Sequence, residues 1–431
     1  MNPAAVHPPP HARDPIGWTA AVTLVFFLLC LVRLTIPTTP FFDEIHYLPA
    51  ARAVIELSKP LNPEHPPLGK EILALGIALF GDRPLGWRIM SVLFGTLGLF
   101  AAMRAMWFAS MRRFATLACG VLLVTGFPLL LQSRIAMLDI FMASLALVAL
   151  WQCAGAVREP EKARRRLALA GIALGLSMAA KWNVIMVAAL PGLAFLAVRL
   201  RASGWHVLTA RRAPPVPGMT LIEAGLWLGL VPIVVYAASY WPNFLYAQRS
   251  IAPTGLIEWH RHMFDLQEQV VKPHAYMSVW YEWVSNWRAI WYLYENIDGA
   301  QRGVLMIGNP LTTLIGVPAI LWCGWAGMFR KRWDALAVFV LYAVAFGMWI
   351  VAPKPVQFYY HYFLPSCFLL AGLALALDEL WHRGGRWSRR TALLVLAASC
   401  ALFVYFWPIL TAAPLDNDQA FLRWTWLHSW R

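Results

Sequence analysis

The chain has 431 residues, 60% hydrophobic and 13% charged, against about 25% charged in an ordinary soluble domain. It carries 23 tryptophans, a net charge of +14 and a mean hydropathy of +0.56. These values exclude a disordered chain, a nucleic-acid-binding module and an ordinary soluble enzyme. They describe an integral membrane protein whose positive charge sorts to its cytoplasmic loops.

A membrane-crossing helix needs about 20 mostly apolar residues. Such runs fall at 17–36, 85–103, 114–131, 135–156, 167–181, 184–199, 221–241, 305–328, 334–351, 361–381 and 391–410, which predicts about eleven transmembrane helices in an all-α polytopic protein. The first run leads into Phe41-Phe42-Asp43-Glu44 rather than a small-residue cleavage site, so it reads as a retained span. With the N-terminus in the cytoplasm, the inside loops collect 20 of the 36 Lys and Arg residues, with a cluster in every inside loop between spans. An odd number of spans then puts the C-terminus outside.

Two outside segments, 37–84 and 242–304, are too long to be turns. Leu57, Leu61, Ile72, Leu75 and Leu79 predict short interfacial helices in the first. The second is rich in Trp, Tyr and His, and the two are expected to fold over one another. The chain thus divides into an N-terminal transmembrane region, 1–240, which includes the first outer segment, and a region 241–431 holding the second outer segment and four more spans. No P-loop is present, and the six cysteines have no CxxC spacing, so neither ATP hydrolysis nor a disulfide or metal framework is supported.

Asp43-Glu44 is the strongest chemical signal. Alone, such a pair reads as solvated loop charge. Here it stands at a membrane boundary, where carboxylates are costly and often functional, and it is followed by His46, Tyr47 and Glu64-His65-Pro66-Pro67-Leu68-Gly69-Lys70. The two prolines hold His65 in a rigid loop. Three cations, Arg88, Arg134 and Lys181, lie at outer ends of separate spans. Each alone reads equally as a charge snorkelling to headgroups; together they suggest a shared anion site.

Phe42-Asp43-Glu44 with His65-Pro66-Pro67-Leu68-Gly69-Lys70 resembles the protein O-mannosyltransferases, membrane enzymes with the C-type glycosyltransferase fold. Arg88, Ser133-Arg134 through Asp139, Lys181-Trp182-Asn183, Ser278 to Tyr292, Gly308-Asn309-Pro310 and Tyr359-Tyr360-His361-Tyr362 extend the resemblance from about residue 16 to 410. The large soluble insert of the eukaryotic members is missing from the second outer segment, as in the bacterial relatives. The resemblance implies a polyprenyl-phosphate-mannose donor and Ser or Thr hydroxyls of exported proteins as acceptors.

On that basis Asp43 is expected as general base and Glu44 as the residue orienting the acceptor, in an inverting displacement. Arg88, Arg134 and Lys181 are expected on the donor phosphate. Further substrate contacts are expected from His65, Lys70, Asp139, Tyr360, His361 and Tyr362, with Asp139 also placed to fix Arg134. No cofactor is expected, and no essential metal, although Asp43, Glu44 and His46 are ligand types for a hard cation. Two readings compete: a related transferase with another sugar or a glycan or lipid acceptor, and a polyprenyl-lipid transporter. The latter would place charges in mid-span. The expected location is the plasma (inner) membrane, with the site on the periplasmic or extracellular side and partners limited to lipid donor, acceptor protein and bilayer. The oligomeric state is left open.

Overall fold

The structure, a computed structural model, describes residues 13–269, 273–352 and 354–431. The expected cytoplasmic N-terminal segment, 1–12, lies outside the described residues. Each apolar run is a helix: α1 (Ile16–Leu31), α4 (Pro84–Ser110), α5 (Arg113–Thr125), α6 (Leu138–Arg158), α7 (Ala163–Ala180), α8 (Ile185–Ser203), α9 (Leu221–Leu245), α11 (Pro310–Arg330), α12 (Trp333–Val351), α13 (Phe363–His382) and α14 (Arg386–Leu410). Among the described residues, eight of these are long and apolar enough to cross a membrane. Helices α1 and α5 are apolar but shorter, and α7 opens on Arg164-Arg165-Arg166.

The first outer segment holds two short helices, α2 (Glu44–Glu56) and α3 (Leu68–Phe80), and the second holds α10 (Leu256–Glu268). The second also holds strands absent from the expectation, β1 (Ile290–Ile297) and β2 (Ala300–Met306), paired antiparallel. Asp298 and Gly299 both have positive φ, the conformation that a tight hairpin turn needs. Leu305 and Met306, expected to begin a span, instead end β2, and α11 starts at Pro310. Asn309 fixes that start: Oδ1 accepts from Leu311 N, and Nδ2 donates to Thr125 O and Ser399 O.

Burial sorts the helices. Fourteen of the twenty residues of α13 are buried, whereas α9 shows its apolar side chains outward, with Ile222, Ile233 and Val234 all more than half exposed. In a membrane helix such a surface meets lipid. The basic loops expected on one side are joined to one another by ion pairs, Arg104 with Asp14, Arg112 with Asp378 and Arg332 with Glu379.

At the opposite end the outer segments are tied together. Ala247 N and Gln248 N donate to Leu57 O and Ser58 O. Thr38 N and Oγ1 donate to the Asp298 carboxylate at the hairpin tip. Tyr359 Oη donates to Asn286 Oδ1 and accepts from Gly308 N, which joins the base of the hairpin to the segment leading into α13.

Candidate active site

The helix geometry decides where Asp43 points. It occupies the N-cap position of α2, where aspartate usually accepts a hydrogen bond from the first helical turn, but its side chain makes no such bond. Among the described residues its carboxylate has no hydrogen bond and no ion pair. Phe42, just before it, holds a left-handed φ of 51°, a strained conformation for a phenylalanine. Its ring stacks on Tyr292 of β1 at 4.1 Å and meets Tyr360 edge-on at 6.0 Å. The hairpin therefore braces the turn that presents Asp43.

Opposite Asp43 stands a buried ion pair. Lys181 Nζ donates to Asp139 Oδ2 at 2.7 Å, with both side chains almost fully enclosed. Asp139 lies in the first turn of α6 and Lys181 at the C-cap of α7, so each charge complements its helix dipole. Lys181 also faces the Tyr360 ring, 5.2 Å from its centre. Gly69 explains how α3 approaches this pair. A Cβ there would lie 2.7 Å from Leu138 Cδ2 and 3.4 Å from Ala180 O, the residues preceding Asp139 and Lys181. Only glycine lets the first turn of α3 lie this close.

Burial pushes the Asp43 carboxyl up to about 6, with Lys181 pulling down and Asp139 pushing up. Such a carboxylate is a base poised near neutrality. Burial, then the charges of Lys181, Lys354 and Lys70, hold His65 well below the ordinary histidine range, so it is neutral. His361 accepts from Phe358 N through Nδ1, which places its proton on Nε2. That Nε2 is buried without a partner among the described residues. Asp139, Asn183, Trp349, Tyr360, His361 and Phe363 line a small cavity beside it.

Asp43, His65, Asp139, Lys181, Tyr360 and His361 thus share one end of the molecule. Five other expected site residues are used differently. Glu44 turns inward and meets Arg88 in a fully buried two-point ion pair, and it accepts further bonds from Ala136 N and Phe41 N. All five N–H groups of Arg88 are taken, by Glu44, Leu34 O, Pro37 O and Thr39 O, so none is left for a phosphate. Arg134 Nη1 donates to Cys30 O at 2.6 Å and to Leu29 O, capping the end of α1. Burial lowers its guanidinium to about 10. Asp139 pairs with Lys181 and not with Arg134.

Lys70 Nζ donates to Leu61 O, Asn62 O and His65 O, which closes the proline turn and exhausts its three protons. Tyr362 shares a hydrogen bond with Tyr342 inside the helical core rather than facing substrate. With Glu44 turned away and His46 exposed, the three ligand types noted in the sequence do not converge. Among the described residues no group of three His, Cys, Asp or Glu side chains is placed to hold a metal.

Residues 20–247 match the family described as dolichyl-phosphate-mannose-protein mannosyltransferase, and residues 253–430 match the C-terminal four-span region of protein O-mannosyltransferases. The chain belongs to the protein O-mannosyltransferase family. It is 28% identical to a polyprenol-phosphate-mannose–protein mannosyltransferase of Mycolicibacterium smegmatis, over all of this chain and 97% of that protein. A Mycobacterium tuberculosis protein of the same name is 26% identical, over 96% of this chain and 92% of its own. The fold matches a chain of the S. cerevisiae protein O-mannosyltransferase Pmt1–Pmt2 complex bound to the sugar donor with a TM-score of 0.81, at 13% identity, over 98% of this chain and 93% of that one. ArnT from Cupriavidus metallidurans matches at 0.59 and 17% identity, over 95% and 68%. The architecture is the C-type glycosyltransferase fold.

In this protein O-mannosyltransferase the sequence pattern passes over one cation. Lys354 lies on the segment between α12 and Tyr359, and its Nζ reaches Gln267 Oε1 of α10 at 3.4 Å. Burial and then the charge of Lys181 lower its ammonium to about 8, against the pull of Asp139, Asp43 and Glu64. The available signal was a lysine between two prolines, just before the Tyr359-Tyr360-His361 motif, at the expected outer end of a span.

Proposed function

We propose that this chain transfers mannose from a polyprenyl-phosphate carrier to Ser or Thr hydroxyls of exported proteins at the outer face of the plasma (inner) membrane. The observation that carries the proposal is the partly desolvated Asp43 carboxylate, unpaired among the described residues, beside the Lys181–Asp139 pair, in a chain of this family. Asp43 takes the hydroxyl proton as the acceptor oxygen attacks the anomeric carbon. The bond from that carbon to the phosphate oxygen breaks, and its electron pair leaves with the lipid phosphate. One displacement inverts the anomeric centre. Lys181 balances charge on the departing phosphate, while Tyr360 and His361 bound the space beside it. Glu44 and Arg88 act at one remove, by fixing the turn that carries Asp43.

The topology follows the positive-inside rule: basic loops and N-terminus in the cytoplasm, all eleven apolar segments crossing, the shorter α1 and α5 included, the site and C-terminus outside. Region 1–240 supplies Asp43, Asp139 and Lys181, and region 241–431 supplies Tyr292, Lys354, Tyr360 and His361. The acceptor enters from the aqueous outer face and the donor tail stays in the bilayer. The test is reconstitution of the purified chain in liposomes with polyprenyl-phosphate-mannose and a Ser/Thr-containing peptide from an exported protein. A hexose mass gain on the peptide, α-linked from a β-linked donor, is expected. Preference for another lipid-linked sugar or a glycan acceptor would favour the related-transferase reading instead.

A further inference from the structure

The charges at the site do not yet balance a phosphate. Asp43 and Asp139 bring two carboxylates, and Lys181, bonded to Asp139, brings one cation. Arg88 has no free N–H, Arg134 is turned to the α1 carbonyls, and Lys70 has spent its three protons on the proline turn. An incoming lipid phosphate would then find, of these cations, only a lysine already bonded to a carboxylate. Lys354 is differently placed: its one bond through Nζ among the described residues is a long contact to a neutral amide oxygen.

Gln267 has a second bond, Nε2 to Glu64 O at 2.8 Å, so Lys354 is linked through α10 to the residue preceding His65. On its own segment Lys354 lies four residues before Phe358, whose ring stacks on Tyr360, and Tyr360 covers Lys181 Nζ. The charged groups acting on it are Lys181, Asp139, Asp43 and Glu64, the first three being those that face the reacting centre.

We propose that Lys354 binds the phosphate of the lipid-linked donor, and that Gln267 holds its ammonium at the site until the phosphate arrives. The proposal rests on the lipid-donor transferase reading above. A phosphate oxygen is a stronger, charged acceptor than the amide at 3.4 Å, and exchange of one for the other joins α10 and the segment before α13 to the bound donor. The lowered ammonium, about 8, describes the empty site, where burial is poorly compensated; bound phosphate raises it again.

The experiment compares wild-type protein, Lys354→Ala, Lys354→Arg and Gln267→Ala, purified and matched for melting temperature. It measures donor KM, acceptor KM and inhibition by undecaprenyl phosphate between pH 7 and 9. Lys354→Ala should weaken donor use and undecaprenyl phosphate inhibition about ten- to hundred-fold, with acceptor KM nearly unchanged. In wild type donor KM should rise above about pH 8 as the lysine loses its proton. Lys354→Arg should keep affinity and lack that rise, and Gln267→Ala should weaken donor binding less than Lys354→Ala does. A folded Lys354→Ala protein with wild-type donor KM overturns the proposal. If Lys354→Ala does not fold, an unaltered alkaline rise in Lys354→Arg overturns it. If wild type binds undecaprenyl phosphate in a Lys354-dependent way but transfers no mannose, the mannosyl reading fails and this one stands.

Discussion

Glu44 and Arg88 close a two-point ion pair, Nε to Oε1 and Nη2 to Oε2 both at 2.8 Å, with neither side chain exposed. The pair lies one residue from Asp43, and Arg88 also gathers the carbonyls of Leu34, Pro37 and Thr39. It fixes the path of the chain from α1 into α2, and so the place of Asp43.

Breaking that pair should cost stability first. Glu44→Gln and Arg88→Ala each leave a buried charge or its partners uncompensated, a loss of about 3–5 kcal/mol. Arg88→Lys should fail as well, because an ammonium cannot span both carboxylate oxygens and three carbonyls. Thermal unfolding in detergent checks this. Glu44→Gln with wild-type melting and a selective rise in acceptor KM would return Glu44 to the acceptor site.

Asp43 should write its own pH profile. A base works deprotonated, and burial has raised this carboxyl to about 6, so kcat/KM should fall as pH drops through that value and hold level above it up to the alkaline limb that Lys354 sets near pH 8. Lys181 holds Asp43 down, so Lys181→Met should move the acid limb to higher pH. An acid limb that stays in place in Lys181→Met would separate the two residues.

Two of the three cations assigned alike in the sequence, Lys181 and Arg134, should part in experiment. Lys181→Ala removes charge from the reacting centre and should raise donor KM by about tenfold or more, for bonds worth about 1.5–3 kcal/mol. Arg134→Ala uncaps α1 and should lower melting temperature while leaving donor KM close to wild type in the folded fraction. Equal donor defects in the two variants would contradict the separation.

Gly69→Ala tests the close approach of α3 to the ion pair. The added methyl meets Leu138 at 2.7 Å, and overpacking of this kind costs about 1–3 kcal/mol. Activity should fall with stability, because Leu138 adjoins Asp139.

The helices were legible because an apolar run of membrane length has few other uses: each run holds a helix, and among the described residues eight of these are long and apolar enough to cross a membrane. Asp43 and Lys181 stood out as candidates for the same reason: a charge at a span end is conspicuous. What the sequence withheld was direction. An arginine at a span end reads the same whether it reaches a phosphate or, like Arg134, the carbonyl of Cys30. Glu44 follows Asp43 in sequence, but one step along a helix turns a side chain by about 100°, enough to bury one carboxylate and leave the other at the site. The hairpin had its signal in Asp298-Gly299 after the apolar run from Ile290, masked by the aromatic character of the whole segment. Lys354 was hidden by its prolines, which read as a turn.

The most direct measurement is single-turnover transfer from polyprenyl-phosphate-mannose to a Ser/Thr peptide by purified wild-type and Asp43→Asn protein, with donor binding measured separately on both. The account predicts that Asp43→Asn folds and binds donor as wild type does, yet transfers mannose roughly 10²–10⁴-fold more slowly. Near-normal transfer by a folded Asp43→Asn enzyme would contradict it and remove Asp43 from the chemistry.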